Sequence, residues 1–369
     1  MHYDVLTIDT QVIHANGFDL EGGLLAQLSQ FDDGPTRFVL SRIVLREILK
    51  HLQMKAEEAH RGLQGAFKKA QDSQLPLELP DLRTVDAKAA ARSRLEAFVK
   101  ATAAEIIDYD KVALPEVMDR YFKPAPPFAT GKKKSEFPDA VALLSLEAWA
   151  TENNKRVLAV SNDADCKAFA DTSKVIDVEA DLADALADLQ KNIAETTQIV
   201  ADLFRKIRTD DTWNLRAEFN SRLEDAVAGY TALAEAESSH GYDASEVTLT
   251  FDTVEFPDDM DDNPFEIVRA RPDYLVVQIE LTVKVRAEGD FTFQHYDSID
   301  KDYVSLGASR AETEAEMDFT LLVTFEGDEE DRDKPWSVAD VEILGAYDVV
   351  DFGYIEPDYS QDWDEDYGR

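Results

Sequence analysis

Residues 157–165 constrain the fold more tightly than any other stretch. Val157, Leu158, Ala159 and Val160 form a short apolar run, and Ser161-Asn162-Asp163-Ala164-Asp165 follows before a helical pattern from Cys166 to Phe169. A run of this kind reads as a strand buried on both faces, which belongs in a parallel sheet covered by helices. The point where such a strand hands over to a helix is where open α/β sheets place their ligands. A helix N-terminus accounts for one Asp there. Two Asp separated by a single residue need more, and a cation accounts for both.

The segments around this strand repeat its logic. Tyr3–Ile8 predicts a first strand that ends at Asp9-Thr10, followed by a helix over about 20–30. Phe38-Val39-Leu40 predicts a second strand, with Ser41 placed to cap the next helix, in which Val44, Glu47, Ile48 and His51 recur at three- and four-residue spacing. Residues 52–123 are Ala-rich and charged, and predict a helical insertion between the second and third strands. A Pro-rich connection then leads through Lys132-Lys133-Lys134 to Phe137-Pro138-Asp139, where Pro138 suits the first position of a helix running to Asn153. A strand over 175–178 and a long helical stretch from about Ala180 complete the alternation. Strands alternating with helices predict an α/β/α sandwich around a parallel sheet.

The pattern then changes. Leu275, Val277, Ile279, Leu281, Val283 and Val285 alternate with polar neighbours, as do Ala315, Met317, Phe319, Leu321, Val323 and Phe325. Period-two alternation over this length predicts long antiparallel strands with one dry face. Charge shifts with it, because residues 201–369 hold 14 Lys and Arg against 44 Asp and Glu, a net charge of −30 out of −38 for the chain. The expected organisation is an α/β domain over 1–195 with its helical insertion at about 52–123, a connecting helix over 196–240, an antiparallel β-rich acidic domain over 241–352, and an acidic tail over 353–369. Nucleic acid would meet the first half, since the second repels phosphate at long range.

One cysteine, Cys166, excludes an intramolecular disulfide and fits a reducing compartment. The N-terminal residues lack the basic and apolar regions of a signal peptide, and the longest apolar stretch, 140–150, is too short to span a bilayer. A cytoplasmic protein with no membrane association is expected.

Strand ends of a parallel sheet share one edge, so Asp9, Glu47, Asp139, Asp163 and Asp165 are expected to converge. Converging carboxylates need a counter-charge, and hard oxygen donors suit Mg²⁺ or Mn²⁺. The six histidines show no ligand-like spacing. Ser161 and Thr10 are placed to support the acids, while Arg42, Arg46, Lys132, Lys133 and Lys134 are candidate phosphate contacts.

Taken together, Ile8-Asp9-Thr10, Val44-Leu45-Arg46-Glu47-Ile48, Phe137-Pro138-Asp139-Ala140 and Val160-Ser161-Asn162-Asp163-Ala164-Asp165 resemble PIN-domain nucleases over residues 1 to about 190. In particular the chain resembles PIN-like bacterial members with a long helical insertion. The resemblance implies metal-dependent cleavage of RNA, with Asp9, Glu47, Asp139 and Asp163 as the four acids, Asp165 as an additional one and Ser161 as the hydroxyl residue. It also implies a toxin–antitoxin or defence setting. The acidic β-rich domain would then serve as a regulatory part, a docking surface for a protein partner, or a homo-oligomer interface. Two alternatives belong to other classes: a non-catalytic interaction or regulatory protein that keeps the fold, and a structure-specific DNA nuclease.

Overall fold

Apolar runs in the first half of the chain become the strands of one parallel sheet in the computed structural model. The structure describes residues 3–358 except 33, 75–81, 124, 129–136, 191–192, 210–213, 246, 258–262, 298–301, 328–334 and 346. The chain divides into two compact units, Met1–Lys191 and Asn192–Arg369.

In the first unit, β1 (Val5–Ile8) runs into α1 (Thr10–Ala15), and α2 (Gly23–Gln27) continues as a short 3₁₀ turn over Leu28–Phe31. Then come β2 (Arg37–Ser41), α3 (Arg42–Asp72), α4 (Ala87–Ala101), β3 (Glu105–Ile107) and α5 (Leu114–Phe122). The unit closes with α6 (Phe137–Glu152), β4 (Val157–Val160), α7 (Ala164–Ala170), β5 (Ile176–Glu179) and α8 (Leu182–Asp188). The sheet order is β3-β2-β1-β4-β5, and every pairing is parallel. All residues of β1 and β4 are buried, because helices cover both faces of these central strands. The register Ile8↔Val160 brings Asp9 and Ser161 side by side where the two strands end.

The helical reading of 52–123 needs correction at one point. Glu105–Ile107 is the edge strand of the sheet, and only Ile107 of the three is buried. An edge strand of three residues with one buried side chain leaves almost no period-two signal.

The second unit begins with α9 (Ile193–Thr209) and α10 (Leu215–Gly229). Leu215, Phe219, Leu223 and Val227 recur every fourth residue on α10 and are all fully buried, together with Val200, Leu203, Phe204 and Ile207 of α9. These stripes share one core with the dry face of an antiparallel sheet. Its strands are β7 (Gly241–Ala244), β8 (Thr248–Glu255), β9 (Phe265–Arg271), β10 (Tyr274–Asp297), β11 (Asp302–Glu326) and β12 (Ser337–Leu344); β6 (Ala232–Glu237) precedes them and β13 (Asp348–Tyr354) follows. β10 and β11 form a long ribbon paired from Tyr274↔Glu326 to Asp297↔Asp302. On its other side β10 is paired in succession by β9, β8 and β7. The other side of β11 is paired by β12 only over Thr320–Glu326.

Residues 196–240 are thus two helices and the strand β6, not one connecting helix. β6 pairs in parallel with β13, which ends the expected β-rich domain and reaches only two residues, Gly353 and Tyr354, into the segment expected to be a tail; the part of that segment from 359 onward lies outside the described residues. Among the described residues, no helix is long and apolar enough to cross a membrane.

Candidate functional site

Where β1 and β4 end, the backbone turns both chains into helices, and the side chains at those turns line a pocket of about 350 Å³. Asp9 follows β1. Its backbone N–H donates to the Val160 carbonyl at 3.0 Å, which fixes Asp9 against β4. The Ser161 hydroxyl, buried at 3% exposure, donates to Asp9 Oδ2 at 2.8 Å. The same Oγ accepts from the Asp163 N–H at 3.2 Å, so one serine ties the acid of one strand end to the acid of the other. Asp163 also caps α7, with Oδ1 accepting from the Asp165 N–H at 2.7 Å. The cap engages Oδ1 of the two carboxylate oxygens.

Glu47 reaches the pocket from the second turn of α3, a helix that Ser41 caps through the Ile43 N–H. It is half-buried beside the buried Val44 and Ile48, and Thr10 Oγ1 donates to its Oε2 at 2.8 Å. Asp139 enters from the first turn of α6 and is exposed at the pocket's rim. All five sequence-predicted acids therefore line one pocket, with Thr10 and Ser161 beside them.

Electrostatics register this convergence. Burial pushes the Cys166 thiol up to about 12, a hydrogen bond with Ser161 pulls it back, and the carboxylates of Asp9, Asp163 and Asp139 push it up further. Three acids from separate segments act on one sulfur, which stays protonated as a small buried group rather than a nucleophile.

The donor set fits a hard divalent ion. Among the described residues, no three His, Cys, Asp or Glu side chains are drawn together into a closed metal cage. Mg²⁺ does not require one, since it keeps several waters and is held by one or two carboxylates together with substrate phosphate. A ring of separated acids around an open pocket suits that mode, whereas zinc needs a tight tetrahedral set.

The expected phosphate contacts are placed differently. Arg42 Nε donates to Asp108 Oδ2 at 2.7 Å, and the Arg46 guanidinium lies 5.9 Å from the Tyr109 ring centroid; neither lines the pocket. Lys132, Lys133 and Lys134 lie outside the described residues. The pocket also takes in Gln11, His14, Ser41 and His51, which sequence reasoning did not place there. Spacing alone held a signal for the two histidines: His14 is four residues after Thr10, and His51 four after Glu47.

Residues 6–166 match the family model described as PIN domain. No curated protein and no solved structure matches the chain.

Proposed function

From the PIN-domain match over residues 6–166 we propose that the first unit is a metal-dependent endoribonuclease. PIN domains are generally nucleases and typically use divalent metal ions. The observation that carries the proposal is the lining of one pocket by Asp9, Glu47, Asp139, Asp163 and Asp165. In this reading Asp9, Glu47, Asp139 and Asp163 hold Mg²⁺ or Mn²⁺, with Asp165 as an additional ligand. When bound, the ion supplies a Lewis acid and activates water for attack on a phosphodiester. Ser161 keeps Asp9 and Asp163 oriented toward each other, and Thr10 fixes Glu47. RNA is the substrate in this reading, and the acidic second unit is a regulatory or docking module that leaves phosphate binding to the first.

Incubating the purified protein with a mixed-sequence RNA in Mn²⁺ should yield internal cleavage products, and excess EDTA should stop their formation. Cleavage that persists in EDTA would rule out the metal-dependent reading. Ser161→Ala should lower the rate by about 10- to 100-fold, the usual effect of losing a residue that orients metal ligands. Full activity in this variant would show that the serine merely satisfies the strand end.

A further inference from the structure

Helix α1 and the residues that follow it meet the side of α3 in three successive pairs. Thr10 donates to Glu47 at 2.8 Å. Four residues further on both segments, the His14 and His51 rings meet edge to face, with centroids 4.6 Å apart. Four residues further again, the Lys55 ammonium sits 4.8 Å from the centroid of the Phe18 ring. A four-residue step along a helix advances about 6 Å. Character along this ladder changes from carboxylate to imidazole to ammonium.

The third pair is built deliberately by the backbone. Phe18 lies beyond the end of α1, with φ at +63°, a region that ordinary side chains avoid. Its N–H donates to the Ile13 carbonyl at 3.0 Å, folding the ring back so that it is buried at 2% exposure, 4.4 Å from His14 and 5.9 Å from His51. A buried ring cannot stack on a base. It can hold a cation through its π face, and Lys55 is exposed and forms no ion pair among the described residues.

We propose that His14, His51 and Lys55 form a subsite for a backbone phosphate flanking the scissile one, an inference that rests on the nuclease reading of the neighbouring acids. The acidic pocket by itself repels a polyanion, so a strand needs cationic or N–H donor contacts next to it. This ladder supplies both within the reach of one or two nucleotides. Partial burial of the His14 ring, with His51 and Lys55 adding in the same direction, holds its pKa below the usual histidine value. His14 therefore acts near neutral pH as an N–H donor, and Lys55 carries the fixed charge.

The test is binding without chemistry: fluorescence anisotropy of a 5′-labelled single-stranded RNA dodecamer in EDTA, across a salt series, with wild type, Lys55→Met, Lys55→Arg and the double variant His14→Gln/His51→Gln. Lys55→Met should weaken binding several-fold and reduce the slope of log affinity against log salt by about 0.7, the value for one lost phosphate contact on a single strand. Lys55→Arg should restore both, and the double histidine variant should weaken binding about tenfold. Unchanged affinity and slope in Lys55→Met would overturn the subsite, as would absence of RNA binding by the wild type. A wild type that cleaves RNA while Lys55→Met binds normally removes the subsite and leaves the nuclease. The reverse pattern, with the binding differences present and no cleavage in Mn²⁺, removes the nuclease and with it the flanking role, leaving a phosphate contact at Lys55 in a protein that binds RNA without cutting it.

Discussion

Asp9→Asn should lower the rate of RNA cleavage by about a thousandfold or more, the scale expected when one preorganised electrostatic group of a reaction centre is lost. The substitution is isosteric, and the Asn carbonyl can still accept from Ser161 Oγ, so the hydrogen bond between the two strand ends survives. Only the charge goes. In metal-free protein that charge sits among other carboxylates, and removing it relieves repulsion. The variant should therefore melt at or slightly above the wild-type temperature in EDTA, and should lose the rise that Mn²⁺ gives the wild type. A ligand present at 100 times its dissociation constant stabilises by about 2.7 kcal/mol, which makes that rise measurable. Initial cleavage rates and melting curves with and without Mn²⁺ decide the matter. Activity within tenfold of wild type, or a large loss of stability in EDTA, would mean that Asp9 is a structural turn residue.

Gly327→Ala should destabilise the second unit by about 3 kcal/mol or more, the range for a backbone position that cannot accept its new side chain. Gly327 follows β11 with φ at +154°, and a Cβ there would lie 2.5 Å from Trp336 Cα and 2.7 Å from its N. Those are main-chain atoms, so no rotamer change can make room. Trp336 is buried at 6% exposure in the core that α9 and α10 share with the sheet, and Gly327 N–H donates to the Asp273 carbonyl at 3.1 Å. Relief on one side therefore strains the other. For a unit of this size the loss corresponds to roughly 6–12 °C in melting temperature, taking 2–4 °C per kcal/mol. Calorimetry of the full chain should show the transition of the second unit moving down. A shift under about 2 °C would mean that the loop accommodates the methyl group freely.

The fold was legible wherever burial was strong on one period. β1, β2 and β4 are short apolar runs between helical patterns, and the β10–β11 ribbon announces itself through alternation. Misreadings fall where composition and environment disagree. Ala232–Glu237 reads Ala-Leu-Ala-Glu-Ala-Glu, a sequence of strong helix formers, yet it is a strand paired with β13. Tertiary pairing overrides local preference there. The acids were legible because parallel strands must end on one edge. His14 and His51 were only half legible: each stands four residues after a pocket residue on its own helix, but that spacing does not encode which helix faces which.

The ribbon formed by β10 and β11 carries a consequence for how molecules of this chain meet one another. From Arg310 to Phe319 no described strand pairs with the outer side of β11, so its amide and carbonyl groups form an open template for strand addition. Glu312, Glu314, Glu316 and Asp318 alternate along that stretch, all exposed, and among the described residues their ion pairing is confined to Lys284, which bridges Glu316 to Glu255. A second ribbon arriving in register would bring its own row of carboxylates against this one. Such an encounter becomes tolerable only when salt shortens the screening distance to a few ångströms. The acidity of the second half thus acts as a colloidal brake, keeping a long sticky edge from polymerising.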